Sequence, residues 1–200
     1  MLYRLARFII SLFLSLFNRW DVEGIENLPA RGPVVLVANH VSLWDPVVLG
    51  CSIRSRIVHY MAKEDLFKIP VFGSILPHLQ CFPVKRGKID RNALRTAAGY
   101  LESGEILGLF PEGSRGKNNE LLPFQPGAAL FALRSGAPIV PVGLTGTKTA
   151  FPCTIRGRIR VRFGQPLTFQ ELYGQKLREE ELENVMAKVK AVIQDLLQNK

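Results

Sequence analysis

Residues 34–46 read VVLVANHVSLWDP. Val34–Ala38 is a continuous apolar run of strand length, the pattern of a strand buried on both faces. Strands covered on both faces belong to largely parallel sheets with helices on either side. The run stops at Asn39–His40. Asp45–Pro46 then reads as a helix start, with Asp as N-cap and Pro at the first helical position. The stretch is therefore strand, loop, helix, and its loop carries a histidine and a carboxylate.

The same alternation continues along the chain. Strands are expected at 57–62, 81–84, 106–110, 139–144 and 158–163, with Pro138 and Pro141 weakening the fourth of these. Pro70, Gly73 and Pro77 break 67–79 into short helical turns. Asp90 caps a helix over 91–103 that stops at Gly104, and a helix over 127–135 ends at Gly136. The segment from about 176 to 198 repeats Leu182, Val185, Met186, Val189, Val192, Ile193, Leu196 and Leu197 at spacings of mainly three and four, an amphipathic helix with Glu179–Glu181 near its start. Alternating strands and helices predict an α/β fold: a single layered domain with a mostly parallel mixed sheet flanked by helices.

A chain of 200 residues suits one domain that buries roughly 70% of its unfolded surface. Its 26 Lys and Arg against 17 Asp and Glu give a net charge of +9, which favours a polyanionic partner. Cys51, Cys81 and Cys153 are too scattered for a disulfide framework or a zinc site, and no two of His40, His59 and His78 are placed as a metal pair. No metal site is expected. Arg156, Arg158, Arg160 and Arg162 alternate with Ile159, Val161 and Phe163, the pattern of a solvated edge strand whose charges block aggregation. Anionic headgroups or donor phosphates are the functional alternative. No aromatic residues interleave on the basic face, so nucleic-acid stacking is not indicated.

The N-terminus narrows the choice of polyanion. Phe8 to Phe17 would span only about 15 Å as a helix, half of a bilayer core of about 30 Å. Arg4, Arg7, Ser11, Ser15 and Asn18 fall on one stripe, and Leu5, Phe8, Ile9, Leu12, Phe13 and Leu16 cover the rest. This reads as a helix lying in a membrane interface with its cationic and hydroxyl groups toward water, flanked by Tyr3 and Trp20. A helix packed on the domain itself is the competing reading. A signal peptide is disfavoured because NRWDVEG, with no small-residue cleavage site, comes next.

In parallel sheets, sites gather beyond the carboxyl ends of strands. Asn39–His40, Lys85–Arg86–Gly87 and Glu112–Gly113–Ser114–Arg115 each follow an apolar strand. A neutral imidazole takes a proton from a hydroxyl near pH 7, and works better when a carboxylate holds its other N–H. His40 and Asp45 have the spacing for that pairing, although Asp45 serving only as a helix cap fits equally well. No Ser stands in a nucleophile elbow, and no Cys lies near His40 in sequence, so a covalent acyl-enzyme is not supported, which leaves the substrate hydroxyl itself or a residue distant in sequence as the nucleophile. Arg86 and Arg115 suit phosphate recognition, with Gly87, Gly113 and Gly116 permitting close backbone approach. Glu112 is placed to bond a substrate hydroxyl or to hold Arg115.

Four stretches stand in one order: NHVSLWD at 39–45, FPVKRG at 82–87, FPEGSRG at 110–116 and APIVPVGL at 137–144. Together they resemble the motif blocks of the glycerolipid acyltransferases, the family of 1-acylglycerol-3-phosphate (lysophosphatidate) acyltransferases, and MAKEDLFKIPVFG at 61–73 adds to the likeness. The resemblance covers about residues 20–165. It implies that His40 is the base on the free glycerol hydroxyl, oriented by Asp45, and that the hydroxyl attacks an acyl thioester directly to give phosphatidic acid. It implies substrate binding by Arg86, Glu112, Gly113, Ser114 and Arg115, with the arginines on the glycerol phosphate. It implies no cofactor beyond the thioester co-substrate, acyl-CoA or acyl carrier protein. A related acyltransferase with another lyso-lipid acceptor is the alternative. The implied partners are lysophosphatidate and an anionic membrane surface, not nucleic acid. The implied location is the cytoplasmic face of the cell membrane, reached by an interface helix over 1–20 that precedes an acyltransferase domain over 21–200. Two positions depart from the family pattern: Lys85 stands where Asp is frequent, and Ser114 where Thr is common.

Overall fold

The computed structural model describes residues 2–85, 90–114, 121–149 and 157–198. In chain order the elements are α1 (Leu2–Phe17), β1 (Arg19–Glu23), β2 (Val34–Ala38), α2 (Asp45–Ser52), β3 (Val58–Lys63), α3 (Phe72–Ile75), β4 (Cys81–Val84), α4 (Arg91–Glu102), β5 (Ile106–Leu109), α5 (Gly127–Ser135), β6 (Ile139–Thr145), β7 (Arg158–Phe163) and α6 (Glu179–Gln198). Short 3₁₀ turns at Glu64–Lys68 and Leu76–Leu79 flank α3. The strands form one sheet in the order β1-β7-β6-β2-β5-β3-β4. Among the described residues, β6–β7 is the only antiparallel strand pair.

β2 is the central strand of the seven and has no polar face. All five of its residues are buried, and it pairs in parallel with β5 and β6. Its alternation divides the core. Val34, Leu36 and Ala38 pack with Leu14 of α1 and Val48 and Leu49 of α2. Val35 and Val37 pack with Ala97 of α4, Leu133 of α5, and Val189 and Ile193 of α6. Gly108 in β5 makes room on the first face: a Cβ there would lie 2.4 Å from the Tyr60 ring. Pro141 is tolerated inside β6 because its carbonyl, and hence its nitrogen, faces the β7 side one step before that ladder begins at Val142.

The expected α/β fold is observed, a mostly parallel mixed sheet flanked by helices. Two placements differ from expectation. β7 is not an edge strand. It lies between β6 and β1, and β1 supplies Asp21 to Arg158 at 3.1 Å and Glu23 to Arg162 at 2.8 Å. β1 itself, RWDVE, carries no apolar run and was not anticipated. Arg156 lies outside the described residues.

The second difference is the orientation of α1. The helix forms, but much of its polar stripe faces the domain rather than water. Arg7 donates through Nη1 to the carbonyls of Ile53, at 2.8 Å, and Arg56, at 3.2 Å. The reason is local: both carbonyls lie in the turn that follows α2, which ends at Ser52, and a cation just beyond a helix C-terminus is favourably placed. Asn18 is buried as well, whereas Arg4 and Ser15 remain exposed. The apolar face points outward, and Leu2, Leu5, Phe8, Ile9, Leu12, Phe13 and Leu16 are each between 43% and 68% exposed. Among the described residues no helix is long and apolar enough to cross a membrane.

Candidate active site

At the end of β2 the chain is handed from the sheet to a tight loop by Asn39. Its side chain donates to the Leu144 carbonyl at 2.9 Å and accepts from the Leu144 N–H at 2.7 Å, so it imitates a backbone pairing with β6. The next backbone group, His40 N–H, donates to Oε1 of Glu112 at 2.7 Å. Glu112 is 6% exposed, and its Oε2 accepts from the Leu122 N–H at 3.1 Å. Both of its oxygens are therefore engaged with backbone donors, one in the loop after β2 and one at Leu122.

Asp45 is fully buried. Its Oδ2 lies 2.8 Å from His40 Nδ1 and accepts from the N–H groups of Val41, at 2.6 Å, and Ser42, at 2.7 Å. Its Oδ1 accepts from the Thr147 hydroxyl at 2.5 Å. Four donors on a group that is acceptor-only when ionised match it to the carboxylate form. Asp45 is not the N-cap of α2. The helix begins at Asp45 itself, Trp44 occupies the cap position, and no side chain caps the helix. The carboxylate turns back into the loop instead, because three donors there converge on it.

Nδ1 is the ring nitrogen of His40 that faces this carboxylate, and Nε2 lies on the far side of the ring. The His40 ring stacks on Phe110, centroids 4.4 Å apart, and its side chain is 16% exposed. The ring is thus held on one side by packing and at Nδ1 by charge, with Nε2 free to meet a hydroxyl. Ser42 Oγ accepts from the Trp44 N–H at 3.2 Å and orders the loop. Burial raises the Cys81 thiol to about 11 and pushes the Cys51 thiol up as well. Both are therefore protonated near neutrality and poor nucleophiles.

β2, β5 and β6 run in parallel, so their carboxyl ends bring His40, Asp45, Phe110, Glu112 and Thr147 to one edge of the sheet. Gly113, with φ 65°, and Ser114 follow Glu112 as exposed residues at the same edge. Lys85, at the end of β4, is exposed, with Nζ 3.7 Å from Glu64. Arg86 and Arg115 lie outside the described residues. Thr147 and the bridging role of Asn39 were not found from sequence. Thr147 is 102 positions from Asp45, and its one signal is a hydroxyl residue just beyond a strand end.

A histidine backed by a buried carboxylate at the end of a parallel strand, with no activated thiol beside it among the described residues, suits direct transfer to a substrate hydroxyl. The chain belongs to the acyltransferase family, whose model matches residues 19–145. It is similar to a 1-acyl-sn-glycerol-3-phosphate acyltransferase of Bacillus subtilis strain 168, 32% identical over 83% of this chain and 82% of that protein. The corresponding enzyme of Streptococcus pneumoniae is 28% identical over 98% of this chain and 73% of its own length. Among solved structures, the 1-acyl-sn-glycerophosphate acyltransferase PlsC of Thermotoga maritima superposes with a TM-score of 0.73 at 29% identity, covering 97% of this chain and 80% of that one.

Proposed function

We propose that this chain transfers an acyl group from a thioester to the free hydroxyl of 1-acylglycerol-3-phosphate, giving phosphatidic acid. The observation that carries the reading is the His40 Nδ1–Asp45 contact at 2.8 Å with Nε2 left open. Nε2 takes the proton of the acceptor hydroxyl as its oxygen bonds to the thioester carbonyl carbon. Asp45 stabilises the imidazolium that results. The tetrahedral intermediate collapses with cleavage of the C–S bond, and the imidazolium returns its proton to the departing thiolate. No cofactor is required beyond the co-substrate, acyl-CoA or acyl carrier protein.

Arg86 and Arg115 hold the glycerol phosphate, with Gly113 and Ser114 at the same strand end. Glu112 contributes by fixing the His40 backbone. The acceptor is an amphiphile, and two features match it: the exposed apolar face of α1, and Leu43, which is 67% exposed in the catalytic loop. The enzyme works as a peripheral protein on the anionic, cytoplasmic face of the membrane, with α1 in the interface.

The test supplies purified protein with lysophosphatidate and an acyl-CoA or acyl carrier protein thioester. Phosphatidate is expected from the wild type. His40→Ala should lower turnover by a factor of roughly 10² to 10⁴ with the fold intact. Unchanged turnover in His40→Ala would overturn the assigned base. Acylation confined to a phosphate-free lyso-lipid, indifferent to Arg86→Ala, would move the acceptor to another class.

A further inference from the structure

The crossover from β3 to β4 carries a second outward apolar surface. Val71 is 75% exposed, and Ile69, Phe72 and Ile75 are between 39% and 46% exposed. Four large apolar side chains within seven residues thus face away from the core. The backbone holds them there at a cost. Val71 has φ 64° and ψ −56°, and Phe72 N–H donates to the Pro70 carbonyl at 2.7 Å. This is a γ-turn of the rare, strained hand, at a β-branched residue for which positive φ is a true outlier.

The surrounding bonds leave the turn little alternative. Gly73 N–H donates to Ile69 O at 2.8 Å, and Ser74 Oγ donates to Val71 O at 2.7 Å. A Cβ on Gly73 would lie 2.1 Å from the Phe67 carbonyl oxygen, so the loop closes only around glycine there. Leu76, 6% exposed, anchors the following turn in the core. A rigid, strained turn that presents a valine to solvent has no folding rationale, and strain of this kind points to function.

Two observations indicate what covers it. The Leu76–Leu79 turn packs against α1, so the exposed apolar turn that precedes it lies beside that helix. Three lysines at its base, Lys63, Lys68 and Lys85, stand against two carboxylates, Glu64 and Asp65, on exposed surface, which leaves one net positive charge there to face anionic headgroups. We infer that the 69–75 turn is a second membrane-inserting element, which enters an anionic bilayer beside α1. A rod and a separate point define a plane. α1 alone would let the domain roll about the helix axis, whereas the turn stops the roll and holds the carboxyl edge of the sheet at one angle to the lipid.

This inference rests on the membrane reading of α1, and the experiment separates the two. Full-length protein is sedimented with phosphatidylglycerol–phosphatidylcholine vesicles. Val71→Gly removes the side chain and relieves the positive φ. It should weaken partitioning roughly three- to tenfold while leaving the melting midpoint unchanged or higher. Val71→Thr keeps the branched shape and should give an intermediate loss; it decides the matter if Val71→Gly melts early. Phe72→Trp should gain fluorescence quenchable by brominated acyl chains. Unchanged partitioning in both Val71 variants, with no added quenching and with Leu12→Ser still weakening binding, overturns the second element and leaves α1 as the anchor. Unchanged binding in Leu12→Ser as well overturns the membrane reading itself.

Discussion

At the scale of single residues, the proposed chemistry rests on how one buried carboxylate is shared. Asp45 gives Oδ2 to His40 and to two backbone N–H groups, and Oδ1 to Thr147. Thr147→Val deletes one donor and leaves a buried lone pair unanswered, a cost of about 1–3 kcal/mol. Part of that cost falls on the orientation of His40. The expected outcome is a roughly tenfold drop in kcat with KM little changed, and recovery in Thr147→Ser. Steady-state kinetics on the three proteins check it, and a loss in KM alone would contradict a positioning role. His40 and Asp45 were legible in the sequence because six consecutive residues hold both, just after a continuous apolar strand. Thr147 and the true bonds of Glu112 were not, since they join positions 102 and 72 apart and local pattern carries no such distance.

At the scale of elements, α1 shows how amphipathic periodicity establishes a helix but not which way it faces. The stripe of Arg7, Ser11 and Asn18 was read as solvated, yet Arg7 closes the carbonyl end of α2. A cationic stripe serves water and an exposed helix end equally well, and only the partner distinguishes them. Arg7→Ala should destabilise the fold by about 1–3 kcal/mol, because two carbonyls lose a charged donor. Denaturant titration measures this, and Arg4→Ala, on an exposed side chain, should leave the midpoint within about 0.5 kcal/mol. β7 makes the complementary point. Its alternation was read correctly and its position was not, because RWDVE of β1 has too few apolar residues to announce a strand. Asp21 and Glu23 acquire meaning only once they stand beside the arginines.

At the scale of the whole molecule, stability has a pH dependence remote from the catalytic edge. His59 in β3 is 5% exposed and stacks on Tyr100, with ring centroids 3.7 Å apart. Burial pushes its imidazole below the usual histidine range, and the Glu105 carboxylate opposes this only partly. The unfolded chain therefore binds a proton that the folded chain resists as pH falls below about 6.5. The folded state holds its full stability above that pH and loses it toward the lowered folded value. Melting midpoints recorded across this range should fall for the wild type and fall less for His59→Phe, whose ring preserves the stack. Parallel curves for the two proteins would remove His59 as the cause. The layered sheet itself was legible from alternating strands and helices, since each buried strand needs cover on both faces.

The Glu112 bridge carries one more consequence. Its carboxylate ties the turn at His40 to the Leu122 N–H, and the Pro111 carbonyl accepts from the Gln125 N–H at 2.8 Å. These bonds close a stem at the base of residues 113–121. Lengthening a closed loop is entropically cheap, at about 0.6 kcal/mol for each doubling. The stem thus fixes the His40 turn through bonds made at its own two ends, whatever the length of chain between them.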